Sequence, residues 1–457
     1  MILASLGAFL THPLTLVVIK ALVVVGVVLQ ISPLLLWLER KGSAYMQDRN
    51  GPNRADIFGI RAAGLVHAVV DVIKLLTKED VIPEHVYKPF WRAAPVIAVT
   101  IAFSTMIVVP WGDTLQVSDE LAVPLQGAVI NGGVLYILAL TSLGVYGVML
   151  AGWASNNKYS LLGGLRSSAQ MVSYELAMGL SLVVMIIAFG TLDLGEIARA
   201  QAGSVFNWGV FKGAGIGFLA FLVFWIAVFA ETNRMPFDLP EAEAELVAGY
   251  HTEYSSLRFV SFYVAEFGNM ITASAVTATL FFGGYNFPSP PGWMGLPTID
   301  GDWFRGNLGL VLLLVGVGGM VVFAIASQVA WGRRTGRFYQ ALKPGDARLR
   351  EPKFWRVVWA LLALAHLGLA GLGGAVAVGA VALPALLVEF GVAIIGLNIL
   401  VAKIMIGCWI MVWVRWTVPR FRYDQLMDIG WKVLLPASMV LVFAMGLFEV
   451  IFYQITA

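Results

Sequence analysis

The chain has 457 residues, of which 59% are hydrophobic and only 13% are charged. Soluble domains carry about 25% charged residues, so this chain has too few charges to cover a water-exposed surface. The apolar content excludes intrinsic disorder, and the single cysteine, Cys408, excludes a disulfide framework or a cysteine-ligated iron–sulfur cluster. A net charge of +2 gives no electrostatic reason to expect nucleic-acid binding.

Apolar runs long enough to cross a bilayer occur throughout the sequence, since a spanning helix needs about 20 mostly apolar residues. They are 13–38, 93–111, 127–151, 171–190, 213–231, 260–283, 307–331, 354–378, 385–414 and 433–455. A β-barrel would show shorter segments with a period of two. The first run lacks a preceding basic residue and a following small-residue cleavage site, which favours a retained span over a signal peptide. We therefore predict an all-α polytopic membrane protein of about ten transmembrane helices, forming a single membrane domain over 1–457.

Lysine and arginine fall almost entirely into alternate loops. The loops 39–92, 152–170, 232–259, 332–353 with its flank to Arg356, and 415–432 hold 25 of these residues. The termini and the loops 112–126, 191–212, 284–306 and 379–384 hold only three. By the positive-inside rule, the basic loops should face the cytoplasm and both termini should lie outside.

The first basic loop, 39–92, opens with Glu39-Arg40-Lys41 directly after an apolar run. Further along, 62–76 is apolar except for His67, Asp71 and Lys74, whose spacing places them on one stripe of a helix. A helix with such a wide apolar face should lie in the membrane interface. It could roof a cavity between membrane and cytoplasm, or serve only as a surface anchor.

The stretch 231–254 interrupts the basic side with an acidic cluster. Its six acids are Glu231, Asp238, Glu241, Glu243, Glu245 and Glu253, with Arg234 as the one Lys or Arg. The stretch is also rich in proline, aromatic and aliphatic residues, which suits a packed wall lined by carboxylates better than a solvated acidic loop. Clustered carboxylates in a partly dry site cannot all ionise cheaply, so some should exchange protons near neutral pH.

Ionisable residues also occur inside the predicted spans. Glu175 and Glu266 lie in two of them, and Asn269 and Thr272 follow Glu266 at a spacing of three, on one helical face. Glu389 and Lys403 lie in a third span. Intramembrane charges are expensive and often form proton relays, although structural interhelix pairs are the alternative. A third stretch, 413–432, is a basic and aromatic connection that would serve as a membrane anchor or as a docking face.

Several motifs in these stretches are long and specific. They are Glu39-Arg40-Lys41 with Tyr45-Met46-Gln47 and Gly51-Pro52-Asn53; Asp71, Lys74 and Lys78-Glu79; Glu231, Asn233-Arg234 and Pro236-Phe237-Asp238-Leu239 with the acids that follow and Tyr254; and Arg415, Thr417, Pro419-Arg420 and Arg422-Tyr423-Asp424-Gln425-Leu426-Met427. Together they resemble the H-type membrane subunit of respiratory complex I, the proton-translocating NADH:quinone oxidoreductase. The resemblance covers roughly 1–285 and 395–457.

This resemblance implies a subunit of an enzyme, in the bacterial plasma membrane, that forms the quinone-binding chamber where the membrane arm meets the peripheral arm. The implied chamber residues are Arg40, Lys41, Arg49, Asp71, Lys74, Arg234, Phe237 and Asp238. The implied proton-coupling residues are Glu39, Glu175, Glu231, Glu241, Glu243, Glu245, Glu253 and Glu266. The implied docking residues for peripheral-arm subunits are Arg420, Arg422 and Asp424.

The resemblance also implies that quinone is a substrate and that FMN and iron–sulfur clusters lie in partner subunits. No metal and no complete redox site are expected in this chain. Quinone reduction would demand protons, and the carboxylates would respond by changing protonation or position; Glu243→Gln should then depress both quinone reduction and proton pumping.

The sequence departs from the family pattern in two places. Where the family has Leu-Gln-Pro followed by Ala-Asp, this chain has Leu65-Val66-His67-Ala68-Val69-Val70-Asp71, after about five extra residues. About 95 further residues near 290–385 add two predicted spans to the usual eight and a basic loop, 332–353. We expect the added pair to pack at the periphery of the arm and its loop to contact a partner.

Two other functions fit parts of the sequence. A membrane anchor subunit of an energy-converting hydrogenase would share the fold and several carboxylates without requiring quinone. A secondary transporter would explain the intramembrane acids, but the sequence shows no evident repeats. Quinone-dependent activity separates the first alternative from complex I, and transport by the isolated chain would support the second.

Overall fold

The computed structural model describes residues 13–117, 122–240, 243–291, 294, 297–332, 340 and 347–456. Its α-helices are α1 (Pro13–Met46), α2 (Val66–Thr77), α3 (Lys88–Met106), α4 (Gly133–Ala154), α5 (Lys158–Phe189), α6 (Leu194–Ala200), α7 (Ile216–Glu231), α8 (Glu243–Leu246), α9 (Ser256–Phe281), α10 (Gly301–Gly332), α11 (Glu351–Ala377), α12 (Ala385–Thr417), α13 (Tyr423–Asp428) and α14 (Leu435–Thr456). The two strands are β1 (Pro110–Gln116) and β2 (Ala122–Gln126). Short 3-10 turns, such as Ala62–Gly64 and Ala347–Arg350, and the π-helical segment Ile429–Leu434 complete the described elements.

In this part of the chain, nine helical segments are long and apolar enough to cross a bilayer. They correspond to nine of the ten predicted spans and confirm an all-α polytopic membrane protein. The remaining prediction, 93–111, forms α3, which has 19 residues and is too polar to meet the same standard. Lys88 and Arg92 in its first turns lower its hydropathy, and the chain leaves the helix at Ile107.

The predicted span 93–111 was therefore wrong at its end, where the chain enters β1. Strands β1 and β2 pair antiparallel, with Thr114 opposite Pro124. This hairpin occupies a loop for which we predicted no secondary structure, because the sequence there lacks the long alternating pattern of a half-buried strand.

Several helices continue well beyond the predicted apolar runs. Helix α1 extends to Met46, so Glu39, Arg40 and Lys41 lie on the spanning helix itself and not in a loop. Helix α5 begins at Lys158, which places Glu175 near its middle. Backbone hydrogen bonding carries a helix past the point where its side chains become polar, so hydropathy alone underestimates helix length.

Loops that the charge distribution assigns to one side contact one another. On the basic side, Ser256 donates a hydrogen bond to the carbonyl of Leu75 at 2.8 Å, and the Phe421 amide donates to Pro236 at 3.2 Å. On the opposite side, the Val205 amide donates to Ser289 at 3.0 Å. The two sets of loops thus gather at opposite ends of the helices, as the alternation of spans predicts.

The main core lies where α5, α7, α9 and α12 pack together, around side chains such as Tyr174, Phe224, Met270 and Ile404. Helices α10 and α11 form a hairpin that packs mainly on itself and contacts α12. Much of its surface consists of exposed leucine and valine side chains, which suits contact with lipid.

Candidate functional site

A cavity of about 930 Å³ lies between α1, α2, α9 and the end of α12. Its apolar part includes Leu29, Leu36, Val260 and Val264, and its polar part includes Glu39, Arg40, Arg49, Asp71, Lys74 and Arg415. One cavity therefore joins an apolar section, large enough for an organic ligand, to a charged section.

Helix α2 closes one side of this cavity. Ala68, Asp71, Val72 and Leu75 line it, while the opposite face of the helix exposes Val69, Val70, Ile73 and Leu76. Arg40 on α1 pairs with Asp71, and Lys74 lies 3.6 Å from the same carboxylate. An exposed apolar face beside a charged stripe is the pattern expected of an interfacial helix, and here that helix also forms a cavity wall.

A buried chain of ion pairs begins at the cavity and leads away from it. The Arg415 guanidinium donates to Glu39 at 2.7 Å, and Arg234 donates to the other oxygen of Glu39 at 2.8 Å. Arg234 also contacts Glu266 on α9 at 2.7 Å and lies over the Phe267 ring. Two arginines and two glutamates balance in charge, which makes it tolerable to bury Glu39 and Arg234 and to bury Arg415 and Glu266 in part.

Two small cavities continue from Glu266 into the helix bundle. The first, about 40 Å³, is lined by Glu266, Asn269, Glu231 and Thr141, among others. The second, also about 40 Å³, shares Asn269, Glu231 and Thr141. Each is large enough for a water molecule.

Glu231 contacts both small cavities and is buried, and its Oε2 has no hydrogen-bond partner among the described residues. A buried carboxylate oxygen normally requires a partner, so water in these cavities is the simplest way to satisfy it. Asn269 lines both cavities and Thr272 lines the second, which confirms the helical face predicted from the spacing of Glu266, Asn269 and Thr272.

The remaining predicted proton-coupling residues are placed less closely together. Glu175 on α5 accepts a hydrogen bond from Ser142, the neighbour of the cavity residue Thr141. Glu245 pairs with Arg166 at 2.6 Å near the surface. Glu241 lies outside the described residues, and the side chain of Glu243 lies outside the described part of α8.

The end of the acidic stretch is fixed by its neighbours. Glu253 accepts a hydrogen bond from Asn157 at 2.6 Å. Tyr254 stacks on Trp91, with ring centroids 4.7 Å apart, and its hydroxyl donates to the Trp91 carbonyl. Burial raises the pKa of the Tyr254 phenol, so this hydroxyl remains a donor at physiological pH.

Four of the eight predicted chamber residues line the large cavity: Arg40, Arg49, Asp71 and Lys74. Arg234 reaches it through Glu39, and Lys41 is buried beside it and donates to the Asn50 carbonyl at 2.7 Å. Phe237 and Asp238 do not line it. Phe237 packs against Tyr174 and Phe421, because its segment folds beneath the 413–432 connection.

The predicted docking residues divide in a similar way. Arg420 is half-buried and binds Asp238 at 3.0 Å, so it stabilises the fold of this chain. Arg422 and Asp424 are exposed, 3.4 Å apart. Of the three, only these last two have most of the side chain exposed.

Some cavity residues were not predicted from the sequence. Phe259, Tyr263 and Phe267 line the cavity from α9, and Arg415 and Trp416 line it from α12. The three aromatic residues recur every four positions, which places them on one helical face, and this spacing could have identified them. In the described residues, no three His, Cys, Asp or Glu side chains are grouped as a metal site requires.

Comparison with known proteins gives consistent matches over nearly the whole chain. The sequence profile of the NADH dehydrogenase family matches residues 19–349 and 353–446. The first H-type subunit of NADH-quinone oxidoreductase from Solibacter usitatus is 42% identical over 422 residues, covering 92% of this chain and 94% of that protein. The second H-type subunit of the same enzyme from Koribacter versatilis is 38% identical over 94% of this chain and 96% of its own length.

A relative from Rhodothermus marinus, NADH-quinone oxidoreductase subunit 8, is 37% identical over 95% of this chain and 98% of its own length. Identity at this level over almost all of both sequences shows common descent and a common fold. The chain therefore belongs to the NADH dehydrogenase family, among relatives named as the H-type subunit of NADH-quinone oxidoreductase.

Proposed function

We propose that this chain is the complex I subunit that forms the quinone chamber and passes the effect of quinone reduction to the proton path. The large cavity is the observation that carries the proposal. A lipid quinone has a long apolar tail and a polar head, and the cavity combines an apolar section with a charged one. The relatives named above are subunits of an enzyme that acts on quinone, which supports the same substrate here.

Electrons would come from partner subunits that hold FMN and iron–sulfur clusters. Full reduction of a quinone consumes two electrons and two protons, so negative charge or proton demand arises in the chamber at each turnover. Glu39 lies at the edge of the cavity and shares its carboxylate between Arg415 and Arg234. A change of charge near Glu39 would shift Arg234, and with it Glu266, because all three belong to one buried network.

The shift at Glu266 would then influence Glu231 through the first small cavity, which both residues line. Water bridging these carboxylates would let a proton move without displacing a helix. Glu175 and the acids at 241–245 would belong to the further path. Coupled carboxylates titrate as a set, so the proposal concerns the group and not one first proton donor.

We also propose the orientation and the contacts of the whole subunit. The basic loops would face the bacterial cytoplasm, with both termini outside. Arg422 and Asp424 would face the peripheral arm, since both are exposed on the basic side. The segment 290–385 would lie at the periphery of the membrane arm, as part of one membrane domain.

Substitution of a cavity-lining alanine tests the chamber directly. Ala68→Phe places a ring in the cavity from α2, where Ala68 is buried and lines the wall. The KM for quinone should rise about fivefold or more, as expected when bulk removes ligand contacts. The measurement is NADH-driven reduction of a short-chain quinone in membranes, with a water-soluble acceptor as a check that electrons still enter the complex.

The matched control is Val69→Phe, which adds the same ring to the neighbouring exposed position on α2. Its KM for quinone should remain at the wild-type value. An equal rise in KM for the two substitutions, or no rise for Ala68→Phe, would exclude the cavity as the quinone site.

A further inference from the structure

A buried ion pair joins the α10–α11 hairpin to the first basic loop. Glu351, the first residue of α11, accepts a hydrogen bond from Nε of Arg61 at 2.7 Å, and its other oxygen accepts from the Arg61 backbone amide at 3.3 Å. The two side chains are only 7% and 6% exposed. Because 290 residues separate them in sequence, the contact fixes one part of the fold against another.

The backbone next to Arg61 adopts an unfavourable conformation. Ala62, Ala63 and Gly64 all have positive φ values, of 46°, 54° and 93°. For alanine this region costs energy, so the surrounding structure must hold it in place. The Trp37 indole donates to the Ala63 carbonyl at 3.0 Å, and Glu351 holds Arg61 immediately before the turn.

This turn joins two parts of the chamber wall. Pro52 lines the large cavity before the turn, and Ala68 and Asp71 line it after the turn. A side chain at Gly64 would collide with the Pro52 carbonyl, which shows how closely the two parts approach. Movement of Arg61 would therefore change the spacing between these walls.

The hairpin that carries Glu351 is closely packed and attached at both ends. Helices α10 and α11 approach through Gly316, Gly319 and Gly373, where a Cβ atom would collide with the facing helix. At its other end, Arg305 on α10 donates to Glu389 on α12 at 2.8 Å. An element fixed in this way holds Glu351 in place, and Glu351 in turn holds Arg61.

We propose that Glu351 is a positioning residue for the chamber: through Arg61 it sets the position of the wall formed by residues 52–71. The α10–α11 hairpin is then a brace for the ligand cavity as well as a lipid-facing element. This inference rests on the proposed function only in taking the ligand to be quinone; the mechanical link itself is independent of the ligand.

The test compares two variants of the same hairpin in the whole complex. Glu351→Gln removes the ion pair at the chamber, and Glu389→Gln removes the pair at the opposite end. Deuterium uptake of the segment 50–65 and the KM for a short-chain quinone are measured for both. For Glu351→Gln we expect faster uptake in this segment and a rise in KM of about threefold to tenfold, with kcat within about twofold of wild type. For Glu389→Gln we expect neither change.

Unchanged uptake in Glu351→Gln, or equal changes in both variants, would overturn the proposal. Faster uptake with an unchanged KM would support the brace and count against quinone as the ligand of the cavity. Where Glu351→Gln does not assemble, Arg61→Lys keeps the charge but not the planar guanidinium; faster uptake and a higher KM would support the proposal, and wild-type values of both would overturn it.

Discussion

Arg234 is the residue that connects the large cavity, through Glu39, to Glu266 in the helix bundle. Its guanidinium binds Glu39 on one side and Glu266 on the other, and its side chain is only 3% exposed. Removing one member of such a buried network leaves its partners uncompensated, at a cost of about 3–5 kcal/mol. The planar fork of arginine suits this bridging role, whereas the ammonium of lysine is a single point charge.

Arg234→Lys should therefore keep the charge and lose the bridge. We expect the rate of NADH-driven quinone reduction to fall at least about tenfold, with electron transfer to a water-soluble acceptor retained. Reduction assays in membrane vesicles measure both activities. A lysine variant with full quinone reductase activity would show that the bridge between Glu39 and Glu266 is dispensable.

Glu231 is expected to act with this network, since it lines both small cavities and has an unsatisfied carboxylate oxygen among the described residues. Glu231→Gln preserves its shape and removes its titratable proton. Quinone reduction and proton pumping should fall together by about tenfold, because coupled steps share one path. Quenching of a pH-sensitive dye by inverted vesicles reports pumping.

The control for this variant is Glu196→Gln on α6, an exposed glutamate on the opposite side of the molecule. It should pump at the wild-type rate. Undiminished pumping by Glu231→Gln would exclude Glu231 from the proton path.

At the scale of single elements, the sequence predicted the presence of helices better than the residues at which they begin and end. The apolar face of α2 was evident from the spacing of His67, Asp71 and Lys74, and the structure confirms a helix there. The end of α3 and the β1–β2 hairpin were not evident, since a short strand has no long periodic signal. The pairing of α10 with α11 could not be predicted either, because glycine spacing indicates that a helix can pack closely but does not identify its partner helix.

The α10–α11 hairpin offers a matched test of close packing. A side chain at Gly316 would collide with the backbone of Ala370, whereas Gly318 on the same helix has open space around it. We expect Gly316→Leu to destabilise the hairpin by about 1–3 kcal/mol, as overpacking does, and Gly318→Leu to have little effect. Thermal inactivation of the purified complex compares the two, and equal inactivation temperatures would show that the close approach is unimportant for stability.

At the scale of the whole molecule, the two sets of loops gather at opposite ends, and the charge bias predicts which end faces the cytoplasm. Asp302 and Arg422 lie on opposite predicted sides and are 89% and 73% exposed. Cys408 is buried, so it should give little background in thiol labelling.

We expect a membrane-impermeant thiol reagent to label Asp302→Cys in intact cells, and Arg422→Cys only in inverted vesicles stripped of the peripheral arm. Protection of Arg422→Cys before stripping would support its place in the docking face. Labelling of Arg422→Cys from outside intact cells would reverse the orientation.

The sequence by itself determined the membrane class, the helical fold and the grouping of the loops. The physical reason is that a bilayer requires long apolar helices and favours positive charge in the loops of one side. Apolar runs and the positions of Lys and Arg are local features, which can be identified from the sequence alone. It also supplied most of the charged residues near the cavity. Only the tertiary structure decided which of them meet: that Glu39 is shared by Arg234 and Arg415, that Asp238 binds Arg420 away from the cavity, and that Glu351 holds Arg61. These contacts join residues far apart in sequence, and helical periodicity gives the face of a residue but not the partner opposite it.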